Sequence, residues 1–170
     1  MILRHEHAGD AARITEIQYA AFKNHPLRAP GAEPTEHLIV ERLRAAGCLT
    51  LSLLAEDNGQ AVAHIALSPA RVGADTSGWF LLGPIGVLPQ RQRQGMGSAL
   101  MRETLRRMRA AGALDIVLVG DPGFYGRFGF AAVPGLAWPG VPGQYVLAAR
   151  FSDRVPQGAI QAHEAFASGA

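Results

Sequence analysis

The stretch from Trp79 to Val119 constrains the fold more than any other part of the chain. Trp79 to Val87 reads as a strand, Gln92 to Gly97 as a loop with two closely spaced glycines, and Gly95 to Ala111 as a helix. Met101, Leu105 and Met108 fall at i, i+4 and i+7 of that helix, and Gly112 is placed to end it. Ile116-Val117-Leu118-Val119 then forms a short continuous apolar run, the pattern of a strand buried on both faces. Strand, loop, helix and buried strand make a βαβ unit. Gly83-Pro84 and Gly86 interrupt the first of these strands. Proline withholds a ladder donor, so the strand is expected to bulge or splay near its end and free backbone groups for a ligand.

Upstream, Ile2 to Glu6 predicts a first strand. Asp10 is a good N-cap for a helix to about Lys23, and Pro34-Thr35-Glu36 opens a second helix that Gly47 stops. Leu49–Glu56 and Ala61–Ser68 read as strands joined by an Asn58-Gly59 hairpin turn, followed by a looser segment from Val72 to Gly78. Downstream come a short turn or helix around Tyr125, a strand near Phe130 to Val133, a Pro/Gly-rich loop and a last strand from Gln144 to Phe151. With 170 residues, one domain spanning 1–154 is expected, and 155–170 reads as a weakly patterned, partly mobile tail.

A net charge of +2 is too small to favour a nucleic-acid partner. Charge is concentrated locally, with six arginines (Arg91, Arg93, Arg102, Arg106, Arg107, Arg109) against Glu103 alone between positions 91 and 109. Such a cluster either attracts a phosphorylated small molecule or forms a solvated helix face. The single cysteine, Cys48, excludes an internal disulfide and a cysteine-based zinc cluster, and no metal is implied. No stretch approaches the roughly 18 apolar residues of a membrane span, and the N-terminus lacks a signal-peptide core. A cytoplasmic location without membrane partners is expected.

A glycine-bearing loop that runs into a helix can aim several N–H groups at one anion, with the helix dipole reinforcing them. In Gln92-Arg93-Gln94-Gly95-Met96-Gly97 the glycines clear Cβ atoms from the backbone, and Gln and Arg side chains add donors. A nucleotide-triphosphate loop would need Gly-Lys-Ser/Thr, which is absent. A dinucleotide fingerprint would need glycine or alanine at Leu100, and an acid at the far end of the next strand; Asp115 precedes that strand.

Gly83-Pro84-Ile85-Gly86-Val87-Leu88-Pro89 followed by Gln92-x-x-Gly95-x-Gly97-Ser98-Ala99-Leu100 resembles the strand and pyrophosphate loop of the GNAT superfamily of N-acetyltransferases. Their signature, Gln/Arg-x-x-Gly-x-Gly/Ala, is matched in full. Gly120-Asp121-Pro122-Gly123-Phe124-Tyr125-Gly126-Arg127-Phe128-Gly129-Phe130 resembles the second half of the family pattern, in wording close to the YhbS-like branch. The resemblance implies an α/β domain with a mixed, mostly antiparallel sheet of six or seven strands, a splayed parallel pair ending near Val87 and Val119, and helices on both faces. It implies acetyl-CoA as cosubstrate, with pantetheine on backbone groups of Ile85, Gly86 and Val87 and the diphosphate on Gln92, Arg93, Gln94, Gly95, Met96, Gly97 and Ser98. Its partner is a small-molecule or peptide amine acceptor, acetylated directly in a ternary complex.

The family tyrosine that matches Tyr125 protonates the departing thiolate. A phenol near pKa 10 can deliver a proton to a thiolate whose conjugate acid is near about 8.5 without a large uphill step. An aromatic cluster of Phe124, Tyr125, Phe128 and Phe130 is also what plain core packing would produce. Many relatives place a glutamate on the strand before the phosphate loop, but Phe80-Leu81-Leu82-Gly83-Pro84-Ile85 has no acid. The base is therefore open, and a non-catalytic acyl-CoA-binding module is the rival reading. Glu56, His64, His25 and His37 are candidate bases, with a solvated Glu56 and a hydrogen-bonded core His64 the ordinary alternatives. Asp121 suits bracing of the Tyr125 turn, and nothing near Cys48 suggests an activated thiol. Oligomeric state is open, a homodimer being the commonest oligomer.

Overall fold

Asn58 and Gly59, both at positive φ, close a tight turn between two long antiparallel strands, and the rest of the sheet is laid down on this pair. The computed structural model describes residues 1–26, 28–113 and 115–167. The strands are β1 (Ile2–His5), β2 (Leu51–Asp57), β3 (Gln60–Val72), β4 (Asp75–Val87), β5 (Asp115–Val119), β6 (Ala131–Ala132), β7 (Leu136–Ala137), β8 (Val146–Arg150) and β9 (Gly158–Ala162). The helices are α1 (Ala11–Phe22), α2 (Glu36–Ala45), α3 (Met96–Ala110) and the short α4 (Pro122–Tyr125). The sheet has nine strands among the described residues: a path β1-β2-β3-β4-β5-β8-β6, matching the six or seven expected, with β9 added on β3 and β7 on β9. Within this path β4–β5 is the parallel pair and the other pairings are antiparallel.

Helices cover both faces. A Cβ on Gly86 would meet Gln18 and Ala21 of α1, whereas Val87 faces Gly97 of α3. Successive strand residues point to opposite faces, so α1 and α3 lie on opposite sides of the sheet. Beneath them Ile14, Ile17, Leu53, Ile65, Leu100, Met101 and Leu118 are almost wholly buried. No helix among the described residues is long and apolar enough to cross a membrane.

Three local expectations differ from the structure. The Val72–Gly78 segment is a second tight hairpin, because pairing of Val72 with Asp75 and Ala70 with Trp79 carries strand geometry through residues with no apolar alternation. The segment after 155 contributes β9, which pairs with β3 and β7 and buries Ile160 in a second apolar cluster with Val72, Trp79, Leu81 and Val117. There Gly73 and Gly158 pack backbone against backbone, a Cβ on Gly158 falling 2.7 Å from the Gly73 Cα. Asp10 precedes α1 as expected, but its carboxylate holds Arg4 at 2.7 Å and the His7 N–H at 2.5 Å rather than capping the helix.

Candidate active site

The sheet opens at the end of β4. β4 and β5 pair only at Trp79–Asp115, Phe80–Ile116 and Leu81–Val117, although β4 continues to Val87 and β5 to Val119. Ile65 faces Ile85 but Leu67 faces Leu82, so β4 carries one more residue than β3 across the Gly83-Pro84 step. Beyond Leu81 the β5-side edge of β4 has no paired strand among the described residues.

Two cavities meet at this opening. One, of about 620 Å³, is lined by Ile85, Gly86 and Val87 of β4 and by Gln92, Arg93, Gly95, Met96, Gly97 and Ser98 of the loop and helix start. The other, of about 960 Å³, is lined by Leu82, Pro84 and Ile85, by Val119 to Asp121, and by Tyr125. Phe22, His25 and Ile85 line both. A further cavity of about 680 Å³, lined by Arg107 and Gly112 near the other end of α3, holds none of the expected site residues.

On the first side, Met96, Gly97 and Ser98 form the opening turn of α3, whose first backbone bond runs from the Ala99 N–H to the Gly95 carbonyl at 3.0 Å. The three preceding N–H groups have no carbonyl of their own helix to bond, and they stand at its positive end. Gly95 has φ +85°, a conformation that strains any L side chain, with open space where its Cβ would stand. At Gly97 an added Cβ would lie 3.7 Å from Val87 Cγ2 and 3.9 Å from Phe124 Cζ, which are ordinary contacts. The chain thus accommodates the alanine that the signature allows at 97.

The arginine cluster divides. Arg93 is exposed and lines the first cavity, as does Arg91, which pairs with Asp57. Arg127 also lines it, with its guanidinium 4.9 Å from the Phe124 ring centroid. On α3, Arg106 and Arg107 pair with Glu103 at 2.7 Å, Arg102 lies over Phe128 and Arg109 over Phe151. The helical arginines therefore brace the surface, and the loop arginines face the cavity. Gln94 is the one expected binding residue that does not line it: its carboxamide accepts from Arg91 Nε at 3.2 Å and donates to the Gln90 carbonyl at 3.3 Å. Gln92 Nε2 donates to the Val87 carbonyl at 3.1 Å, tying the loop to the open strand end.

On the second side, the Asp121 carboxylate caps α4 by accepting the Gly123 N–H at 2.9 Å. This turn lays the Tyr125 ring directly on Gly120, where a Cβ would fall 2.3 Å from Tyr125 Cε2. Burial, and then the Asp121 charge, push the Tyr125 phenol up to about 12. The hydroxyl is consequently protonated throughout the neutral range.

The candidate bases separate by position. Glu56 is held by Arg4 at 2.9 Å and lines neither cavity. His64 is fully buried, and burial pushes its imidazole down to about 3, so it is neutral. Gln18 Nε2 lies 2.8 Å from its Nδ1 and Ser52 Oγ 2.8 Å from its Nε2. We assign the Gln18 amide as donor to Nδ1, which places the proton on Nε2 facing Ser52, whose hydroxyl donates to Glu6. His64 is thus a core histidine. His37 packs edge-on against Tyr19 with ring centroids 5.5 Å apart, outside both cavities. Cys48 lies beside the Ala46 carbonyl and outside them too. His25, half-buried after α1, lines both. Among the described residues no cluster of His, Cys, Asp and Glu could hold a metal ion.

Sequence reasoning did not find Phe22, Phe124, Arg127, Trp138, Tyr145 or Phe166 as cavity residues. Phe124 and Arg127 sat within the quoted second motif and Tyr145 at the start of the expected last strand, whereas Trp138 and Phe166 belong to segments with no periodic signal.

Over residues 3–133 the chain matches the sequence model of a family described as an acetyltransferase (GNAT) domain. It is 32% identical over 157 residues to the uncharacterized N-acetyltransferase YhbS of Escherichia coli strain K12, covering 83% of this chain and 94% of that protein. A crystal structure of a GNAT family acetyltransferase from Brucella melitensis in complex with acetyl-CoA shares 43% identity at a TM-score of 0.83, over 97% of each chain. The E. coli YhbS structure in complex with CoA shares 28% identity at a TM-score of 0.85, covering 99% of this chain and 93% of that one. With a family match across most of its length and these relatives, the chain belongs to the GNAT acetyltransferases.

Proposed function

We propose that this GNAT acetyltransferase moves the acetyl group of acetyl-CoA to a primary amine by direct transfer in a ternary complex. The observation that carries the reading is the pair of cavities meeting where β4 and β5 part, with the first residues of α3, Met96 to Ser98, lining one of them. The E. coli and Brucella relatives were crystallised with CoA and acetyl-CoA, which supports the same cosubstrate here. Met96, Gly97 and Ser98 N–H groups, with Arg93 and Arg127, would hold the diphosphate. The pantetheine arm would lie along Ile85 to Val87, putting the thioester at the junction.

The amine nitrogen attacks the thioester carbonyl carbon, a C–N bond forms, and collapse of the tetrahedral species breaks the C–S bond. Backbone N–H groups of the open β4 end near Val87 stabilise the oxyanion. An amine of pKa about 10.4 is mostly ammonium at pH 7, so presenting it as free base costs roughly 4–5 kcal/mol. We assign removal of that proton to His25, directly or through water, because among the described residues it is the imidazole that lines both cavities. Tyr125 returns a proton to the thiolate. Against a solvated thiolate of about 8.5, a phenol at about 12 makes this step uphill by about 5 kcal/mol at 1.36 kcal/mol per unit. Burial that lifts the phenol also lifts a thiol beside it, since each forms an anion there, and the gap narrows.

Incubation of the protein with acetyl-CoA and primary amines should release CoA thiol and yield N-acetylated product by mass spectrometry. Tight acetyl-CoA binding with no product from any amine would instead favour the non-catalytic module.

A further inference from the structure

The wall of the second cavity away from the strand opening is apolar and aromatic. Trp138, Val141 and Phe166 are half-buried there, against the cluster that contains Trp79, Leu136 and Ile160. Val119 and Tyr145, which also line it, are 40% and 39% exposed, among the most exposed large apolar side chains of the described protein. A volume of about 960 Å³ with few polar groups suits a small ligand rather than a macromolecular surface. Among the described residues two carboxylates line it. Glu36 is neutralised by Arg28 and also accepts the Thr35 N–H at 2.9 Å. Asp121 accepts only the neutral Gly123 N–H at 2.9 Å among the described bonds, and it lies beside Tyr125 where the thioester is expected. The charge on this wall therefore fits one ammonium close to the reacting centre, with uncharged surface beyond it.

We propose, resting on the acetyl-transfer reading, that the acceptor is a monocationic primary amine on an apolar or aromatic body, selected by Trp138 and Tyr145. A polyamine would bring further charges against Trp138 and Phe166, where the described lining offers only the Arg28-paired Glu36 besides Asp121, at a desolvation cost. An arylalkylamine buries its ring on those side chains while its nitrogen reaches past Asp121.

The test compares 2-phenylethylamine, spermidine and glycinamide as acceptors by thiol release under saturating acetyl-CoA. The expected kcat/KM for 2-phenylethylamine exceeds that of the other two at least tenfold. Trp138→Ala should lower it about tenfold for the aromatic amine, barely change glycinamide, and leave the KM for acetyl-CoA unaltered. Tyr145→Ala, whose partly exposed side chain can be removed with little risk to folding, should act in the same direction. Preference for spermidine, or an equal loss for all amines in both folded variants, overturns the proposal while leaving acetyl transfer intact. Absence of thiol release with every amine overturns the acetyl-transfer reading and this inference together.

Discussion

Gly120→Ala should reproduce the loss caused by Tyr125→Phe without touching either cavity's charges. A Cβ at 120 would lie 2.3, 2.8 and 3.3 Å from the Tyr125 ring atoms Cε2, Cδ2 and Cζ, well inside contact distance, so the ring must leave its place. Overpacking of this kind costs about 1–3 kcal/mol of stability. The larger effect is on rate, since a positioned acid is worth roughly 10²–10⁴-fold, or about 3–5 kcal/mol of activation energy. Because both substitutions act through one hydroxyl, the double variant should be no slower than the slower single variant. Steady-state turnover of the four proteins, with acetyl-CoA affinity measured separately by calorimetry, reads this out. Affinity should change less than threefold, as the Gly95–Ser98 amides are untouched. Additive losses in turnover, or a Gly120→Ala protein with full activity, would refute the assignment of Tyr125 as the acid.

Gly95→Ala should destabilise the protein by about 1–2 kcal/mol in denaturant unfolding and weaken CoA binding, because φ +85° is costly for alanine; unchanged affinity would mean the loop amides do not grip the cofactor. His25→Gln should cut kcat/KM for the amine about a hundredfold near pH 7 and much less near pH 10, where the amine loses its own proton. A loss of equal size at both values would point to a packing role. For His64 the folded pKa of about 3 lies below an unfolded value near 6.5. Its contribution is therefore complete above pH 6.5 and lost as pH falls toward 3, on the order of 5 kcal/mol across the window. Unfolding at pH 7, 5 and 4 should show a shallower acid slope in His64→Leu than in the parent; parallel slopes would contradict a buried neutral imidazole.

The βαβ unit was legible because its signals are local: Met101, Leu105 and Met108 repeat at helical spacing, Gly112 ends the helix, and Ile116 to Leu118 are buried as a continuous run. The glycine loop that opens the helix was legible for the same reason, since Gly95 and Gly97 adjoin the helix start they form, and this loop is the one proposed above to hold the diphosphate. Asp115 was also read correctly as lying at the wrong edge for a ribose. The structure adds its use, a buried carboxylate bonded to the Phe151 N–H, Ser152 and Arg154. What escaped depends on distant partners. β9 holds one large buried residue, Ile160, and its strand character comes from pairing with β3 rather than from alternation. The aromatic wall joins Phe22, Trp138, Tyr145 and Phe166 across 144 residues of chain, a distance no local pattern spans. Helical arginines and loop arginines look alike in sequence, and it was the partners Glu103, Phe128 and Phe151 that separated them.

Titration of the amide-labelled protein with CoA, followed by NMR, tests the central claim most directly. The amide signals of Gly95, Met96, Gly97 and Ser98 should shift first and furthest, with Ile85 to Val87 next, and pantetheine alone should move only the latter group. Saturable binding that leaves the α3 start unmoved while shifting residues elsewhere would contradict it.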